Sequence, residues 1–221
     1  MGRYCGCMER NDRREPRGAV SEAARVFREA AGWVPTLARG IGAEAWAGPG
    51  LGAWDLRALL GHTSRALSTV SEYLRRPAER EALRTPVDYF RAAAAIPGAD
   101  AAAVLQRGIA AGEELGDDPA EAFEQIARAA IDSLPEVGDP LIPSIAGGIR
   151  LSSYLPTRTF ELVVHGLDIC AATGRPADPP PAALRETLHL AADLACAGGT
   201  GPELLRAATG RSALRLGFSV L

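Results

Sequence analysis

Glu161 and His165 are four residues apart. On a helix that spacing puts them about 40° apart on one face, one turn above the other. A carboxylate and an imidazole placed so can share one divalent ion, as in other E-x-x-x-H and H-x-x-x-H sites. Two further histidines exist, His62 and His189. His62 falls on the inward side of an earlier helical pattern, between Leu59 and Ala66, where a lone histidine fits a satisfied core residue as well as a ligand. His189 has no acidic or histidine partner at helical spacing and reads as structural or surface.

The segment around Glu161 sharpens the signal. With Glu161 at zero on a wheel of about 100° per residue, Arg158, His165, Asp168 and Ala172 occupy a narrow arc of roughly −20° to +60°. The other residues from Thr159 to Ala171 are almost all apolar or small. A surface helix is polar over a wider arc, so this one is expected to be enclosed by protein on most sides. Its Arg158–Glu161–His165–Asp168 stripe then faces a polar interior, where charges need partners or a metal. A solvated edge, with Arg158 paired to Glu161 and His165 to Asp168, fits the same spacing.

The elements that must position these residues are helical. Ala23, Val26, Phe27, Ala30, Val34 and Leu37 recur at three- and four-residue steps from Ala19. After a glycine-rich loop, a second helix is expected over about 54–74, with a stripe through Leu56, Leu59, Leu60, Thr63, Leu67, Val70 and Leu74. A short helix is expected near 88–95 and another over about 100–115. Asp118-Pro119-Ala120-Glu121 reads as a cap, a proline at the first helical position and an acid in the first turn, opening a helix to about Leu134. Residues 135–156 hold four prolines and Gly147-Gly148 and are expected to be an irregular loop that shapes a site. Helices are then predicted over about 157–172, 182–197 and 202–208. No strand alternation and no internal repeat is apparent, so the predicted class is an all-α bundle with short joints.

Composition narrows the partners. The net charge is −3, and all 24 basic residues are arginine. Nothing in that balance points to nucleic acid or an anionic membrane. No apolar run reaches the roughly 18 residues of a spanning helix. Residues 1–17 read as a polar tail without the apolar core of a signal peptide, and 18–221 as one domain, so the expected compartment is the cytoplasm. Cys170 and Cys196 sit in apolar helical patterns and are expected to be small core residues. Cys5 and Cys7 form an isolated C-x-C in the tail, a weak metal signal without a second pair.

Two segments carry a resemblance. Trp54, Leu59 and His62 stand in Gly52-Ala-Trp-Asp-Leu-Arg-Ala-Leu-Leu-Gly-His-Thr63, which resembles the W-x-x-x-x-L-x-x-H segment of the DinB-like, mycothiol-dependent maleylpyruvate isomerase N-terminal superfamily. Tyr154 to Asp168 resembles its R-x-x-E-x-x-x-H-x-x-D segment, through Arg158, Glu161, His165 and Asp168. The closing Gly217-Phe-Ser-Val-Leu221 is similar to the end of its short members. The resemblance covers about 19–221. It implies a DinB-like four-helix bundle with extra short helices, and a divalent metal, usually zinc, held by His62, Glu161 and His165. It makes Asp168 and Arg158 candidates for orienting the ligands. Only 23 residues follow Gly198, too few for the further domain with which the isomerases help to bind substrate. Maleylpyruvate is therefore not the expected substrate.

Three function classes follow from that implied site. In the first, the metal activates a small-molecule thiol, mycothiol by resemblance, which adds to a small electrophile in a transferase or isomerase reaction. Arg65, Tyr154 and Arg158 are candidates to bind the thiol, from their nearness in sequence to the ligands. In the second, metal-bound water hydrolyses a substrate. In the third, the module is non-enzymatic and regulatory, and the metal merely staples the bundle. Two imidazoles and a carboxylate suit Fe(II) or Ni(II) as well as zinc.

Overall fold

The computed structural model describes residues 19–97 and 101–221. Within them lie α1 (Ala19–Ala38), α2 (Leu56–Leu74), α3 (Pro86–Ala94), α4 (Ala101–Glu114) and α5 (Pro119–Asp132). A hairpin of β1 (Leu141–Ser144) and β2 (Gly147–Arg150) follows, then α6 (Leu151–Thr173), α7 (Pro181–Ala197) and α8 (Gly201–Ala208). The helices α1, α5, α2 and α6 close a ring in which each packs on the next. This is the all-α, DinB-like four-helix bundle that the sequence predicts. Outside it, α4 covers α2, α7 flanks α6 and α1, and α3 packs on α6 and α7. No helix among the described residues is long and apolar enough to cross a membrane.

Local chemistry explains where the helices start. Asp55 accepts from the Ala58 amide at 2.7 Å and opens α2. Thr85 and Asp88 exchange bonds as a capping box at α3. Asp118 accepts from the Glu121 amide at 3.1 Å, with Pro119 first in α5. Burial then orders the bundle. Phe27, Leu59, Leu67, Phe123, Tyr154, Leu155 and Leu162 are all fully buried. Removing such side chains from water is the main favourable contribution to folding.

The hairpin corrects the expected loop over 135–156. Ile142 pairs with Ile149 across it, and both are buried. With only four residues per strand and Pro143, Gly147 and Gly148 among them, no alternation is visible in the sequence. Gly148 is required there. A Cβ on it would lie 2.0 Å from the Arg80 carbonyl oxygen, because the 78–83 segment runs against the hairpin and the Ala82 and Leu83 amides both donate to the Gly148 carbonyl.

The helix carrying Glu161 also starts earlier than expected, at Leu151, and runs through Pro156. Burial of Leu151, Tyr154 and Leu155 outweighs the one backbone bond that the proline removes. Asp139 caps this end, accepting from the Ser152 amide at 2.9 Å and from its hydroxyl at 2.7 Å. Cys170 is buried, as expected, but Cys196 is exposed, near the end of α7 beside Gly201 at the start of α8. Cys5 and Cys7 and the tail lie outside the described residues.

The α2–α4 crossing is a close one. A Cβ on Gly61 would sit 2.1 Å from the Gly112 amide nitrogen, so backbone meets backbone one residue from His62. Arg57 fastens the crossing by donating from Nε to the Gly112 carbonyl at 2.9 Å. Gly61→Ala is expected to force the helices apart and destabilise the fold by about 2 kcal/mol or more. Urea unfolding monitored by circular dichroism checks this, and a change within about 0.5 kcal/mol of wild type would contradict it.

Candidate metal centre

His62 on α2 and the Glu161–His165 pair on α6 converge. One ligand atom from each of the three lies within 4.8 Å of the other two. The imidazoles meet edge to face, with ring centroids 4.9 Å apart. His165 Nε2 stands 3.2 Å from Glu161 Oε2, and its Nδ1 stands 3.0 Å from Asp168 Oδ2. The ring is thus held from both sides by residues of its own helix. The stripe is neither solvated nor sealed: the side chains of His165, Glu161 and Asp168 are 13%, 22% and 27% exposed.

Charge is distributed unevenly over the three. Burial pushes the His62 imidazole down to about 4, and nearby His165 acts in the same direction. His62 is therefore neutral at pH 7, and its Nδ1 is buried with no hydrogen-bond partner. Burial alone would lower His165 too, but hydrogen bonds to Asp168 and Glu161 and the charges of both raise it to about 9. Against its own burial, the His165 bond and the Arg158 charge hold the Glu161 carboxyl below its usual value. Without metal the site is a protonated His165 clamped between two carboxylates, beside a neutral imidazole.

These residues fit a divalent ion. They supply an ionised carboxylate and a neutral imidazole, and a second imidazole becomes neutral on losing one proton. A partnerless buried imidazole nitrogen is rare in native structures and calls for an explanation such as an ion. Ligand atoms around a tetrahedral zinc are about 3.3 Å apart at bond lengths of ~2.0–2.1 Å. Small side-chain rotations close the difference.

Against known proteins, the profile described as the mycothiol maleylpyruvate isomerase N-terminal domain matches residues 27–170. The chain belongs to this family. No curated protein and no solved structure matches it. The matched span runs from α1 to within three residues of the end of α6, and so contains every member of the triad and of the helical ring that holds it. In this member of the mycothiol maleylpyruvate isomerase N-terminal domain family, α7 and α8 lie beyond the matched span.

The other residues singled out in the sequence are dispersed around the triad. Asp168 touches His165 directly. Arg65 is exposed on α2, and its charge helps to lower His62. Tyr154 is wholly buried, and its hydroxyl donates to Thr69 Oγ1 at 2.9 Å, so it forms part of the wall. Arg158 is nearly buried and makes no ion pair with Glu161 among the described residues. His189 is exposed.

Two contributors escaped the sequence reading. The Trp54 ring lies 4.6 Å from the His62 ring, and its indole N–H donates to the Leu105 carbonyl at 3.0 Å. Gly108 admits it, since a Cβ there would come within 2.5 Å of the indole. Trp54 belongs to the motif but stands just before the Asp55 cap of α2, so neither its contact with His62 nor that with α4 has a helical-spacing signal. Tyr89 reaches Arg158 from α3, again with no local signal. A groove of about 700 Å³ between α2 and α5, lined by Ser68, Arg75 and Ile126 among others, includes none of the triad.

Metal uptake must displace the His165 proton from Nε2 while Asp168 keeps the one on Nδ1. The raised value near 9 sets the sign: below it the proton competes with the ion. Apparent zinc affinity is thus expected to rise about tenfold per pH unit from pH 7 to 8 and to level off above about 9. Chelator competition measures this, and a flat profile over that range would contradict it. Asp168→Ala, which frees the ring, is expected to weaken zinc binding about 10- to 100-fold.

Proposed function

We propose that this protein is a metal-dependent enzyme that adds a small-molecule thiol, mycothiol by family, to a small electrophile. The reaction is a thiol transfer, or an isomerisation when the addition reverses. The observation that carries this reading is the open triad with no cysteine beside it among the described residues. Cys170 is turned away from it, its thiol hydrogen-bonded to the Pro176 carbonyl, and Cys196 is exposed on α7. Neither described cysteine offers its sulfur to the triad, which favours a thiol supplied as a small molecule.

His62, Glu161 and His165 would hold a divalent ion, which brings the proton of a bound thiol within reach of neutral pH. The rest falls to the chain. Asp168 keeps a proton on His165 Nδ1, so that Nε2 presents its lone pair inward. The Trp54 ring and the α2–α4 crossing fix the His62 ring. The sulfur electron pair forms a bond to the electrophilic carbon while the π pair of that carbon's double bond moves onto its neighbour, which takes up the proton the thiol gave up; in the reverse step that proton is lost and the π bond reforms. In isomerisation the same C–S bond later breaks, and the thiol leaves as it came.

The experiment is turnover of a panel of small electrophiles by zinc-, nickel- or iron-loaded protein, with and without mycothiol. The expected result is thiol-dependent consumption that falls at least about 100-fold in His62→Ala and Glu161→Gln. Equal turnover without thiol would make the protein a hydrolase instead. No turnover by fully loaded protein, with chelation lowering only its stability, would leave a structural metal.

A further inference from the structure

Arg158 is 7% exposed, yet among the described residues no carboxylate lies within ion-pairing distance of it. Its Nε donates to Thr157 Oγ1 at 3.0 Å. Its Cζ stands 5.1 Å from the Tyr89 ring and 4.9 Å from the Tyr154 ring. The planar guanidinium is therefore fixed in place by two aromatic rings and one hydroxyl. That framework is itself anchored, because Thr157 donates to the Tyr154 carbonyl at 2.6 Å and Tyr154 to Thr69. The two Nη groups have neither a hydrogen-bond nor an ion-pair partner among the described residues.

Neither Nη is among the partnerless side-chain atoms sealed from solvent, so both stay open to an outside ligand, while most of the side chain is buried and a charge so far withdrawn from water is normally paired. Cation–π contact returns part of what is lost and leaves the in-plane N–H donors unused. The nearest acid along the stripe does not supply the missing partner. Glu161 is already bonded to His165, and in the reading proposed above its charge is taken up by the ion. What remains is a rigid fork of donors, one helical turn from Glu161, matched in shape to a carboxylate.

We infer that Arg158, walled by Tyr89 and Tyr154, is a receptor for a carboxylate carried by the small electrophile. It holds that group about a helical turn from the metal ligands, while the reacting carbon lies toward the triad. The inference rests on the proposed function for the identity of the ligand. The anion site itself is independent of metal and thiol.

The test uses the full chain freed of metal by chelator, with acetate as probe and acetamide as its neutral counterpart. The readout is the NMR signal of the Arg158 Nε–H together with the backbone amides of α3 and α6. Acetate is expected to shift these saturably and acetamide not to. Arg158→Met should weaken acetate binding at least about tenfold, and Arg158→Lys should fall between, keeping the charge but losing the fork. The wild-type signal reports directly should the methionine variant not fold. Identical responses to acetate and acetamide, or wild-type binding in a folded Arg158→Met, overturn the inference. Zinc titration of the same samples separates the two failures. Acetate bound at Arg158 without thiol-dependent turnover sinks only the catalytic reading, and zinc bound without an acetate response sinks only this one.

Discussion

The structure turns on keeping a histidine and its acids charged inside a helical bundle. His165, Glu161 and Asp168 lie on one stripe of α6, and most of the remaining circumference of that helix is buried. Such a stripe survives in an interior only if each charge meets another. In the metal-free state the meeting is internal, an imidazolium between two carboxylates. A divalent ion bound there would replace one proton in that arrangement and take the neutral imidazole of His62 as a further ligand.

Around this stripe the bundle acts as a frame with two adjustments. On the α2 side, glycines at 61 and 112 let two helices touch backbone to backbone, and glycine at 108 admits the indole that lies against His62. On the α3 side, Tyr89 and Tyr154 hold the Arg158 guanidinium. One side sets where the third ligand stands, and the other sets the charge felt by Glu161.

Much of this was legible in the sequence. Apolar spacing marked α1, α2 and α6, and Asp118-Pro119 marked the start of α5. The narrow Arg158–Glu161–His165–Asp168 arc forecast an enclosed helix, because periodicity reports which face is buried. The convergence of His62 with the pair came from resemblance, since no spacing rule links residues about a hundred positions apart. The hairpin was hidden because its signal is one inward pair, Ile142 and Ile149, amid proline and glycine. The early start of α6 was hidden because Pro156 reads locally as a boundary, whereas burial of Leu151 and Leu155 decides the matter at a distance. Tyr89 and Trp54 were missed as neighbours of the site for the same reason: tertiary contact leaves no local trace.

The central claim is that one ion binds to two imidazoles and one carboxylate. X-ray absorption spectroscopy of zinc-reconstituted protein tests it most directly. The account predicts one zinc per chain, with two nitrogen ligands whose outer-shell scattering is that of imidazole, an oxygen ligand at about 2.0–2.1 Å, and no sulfur until a thiol is added. A sulfur ligand in the thiol-free protein, or zinc bound with the same spectrum after His62→Ala, would contradict it.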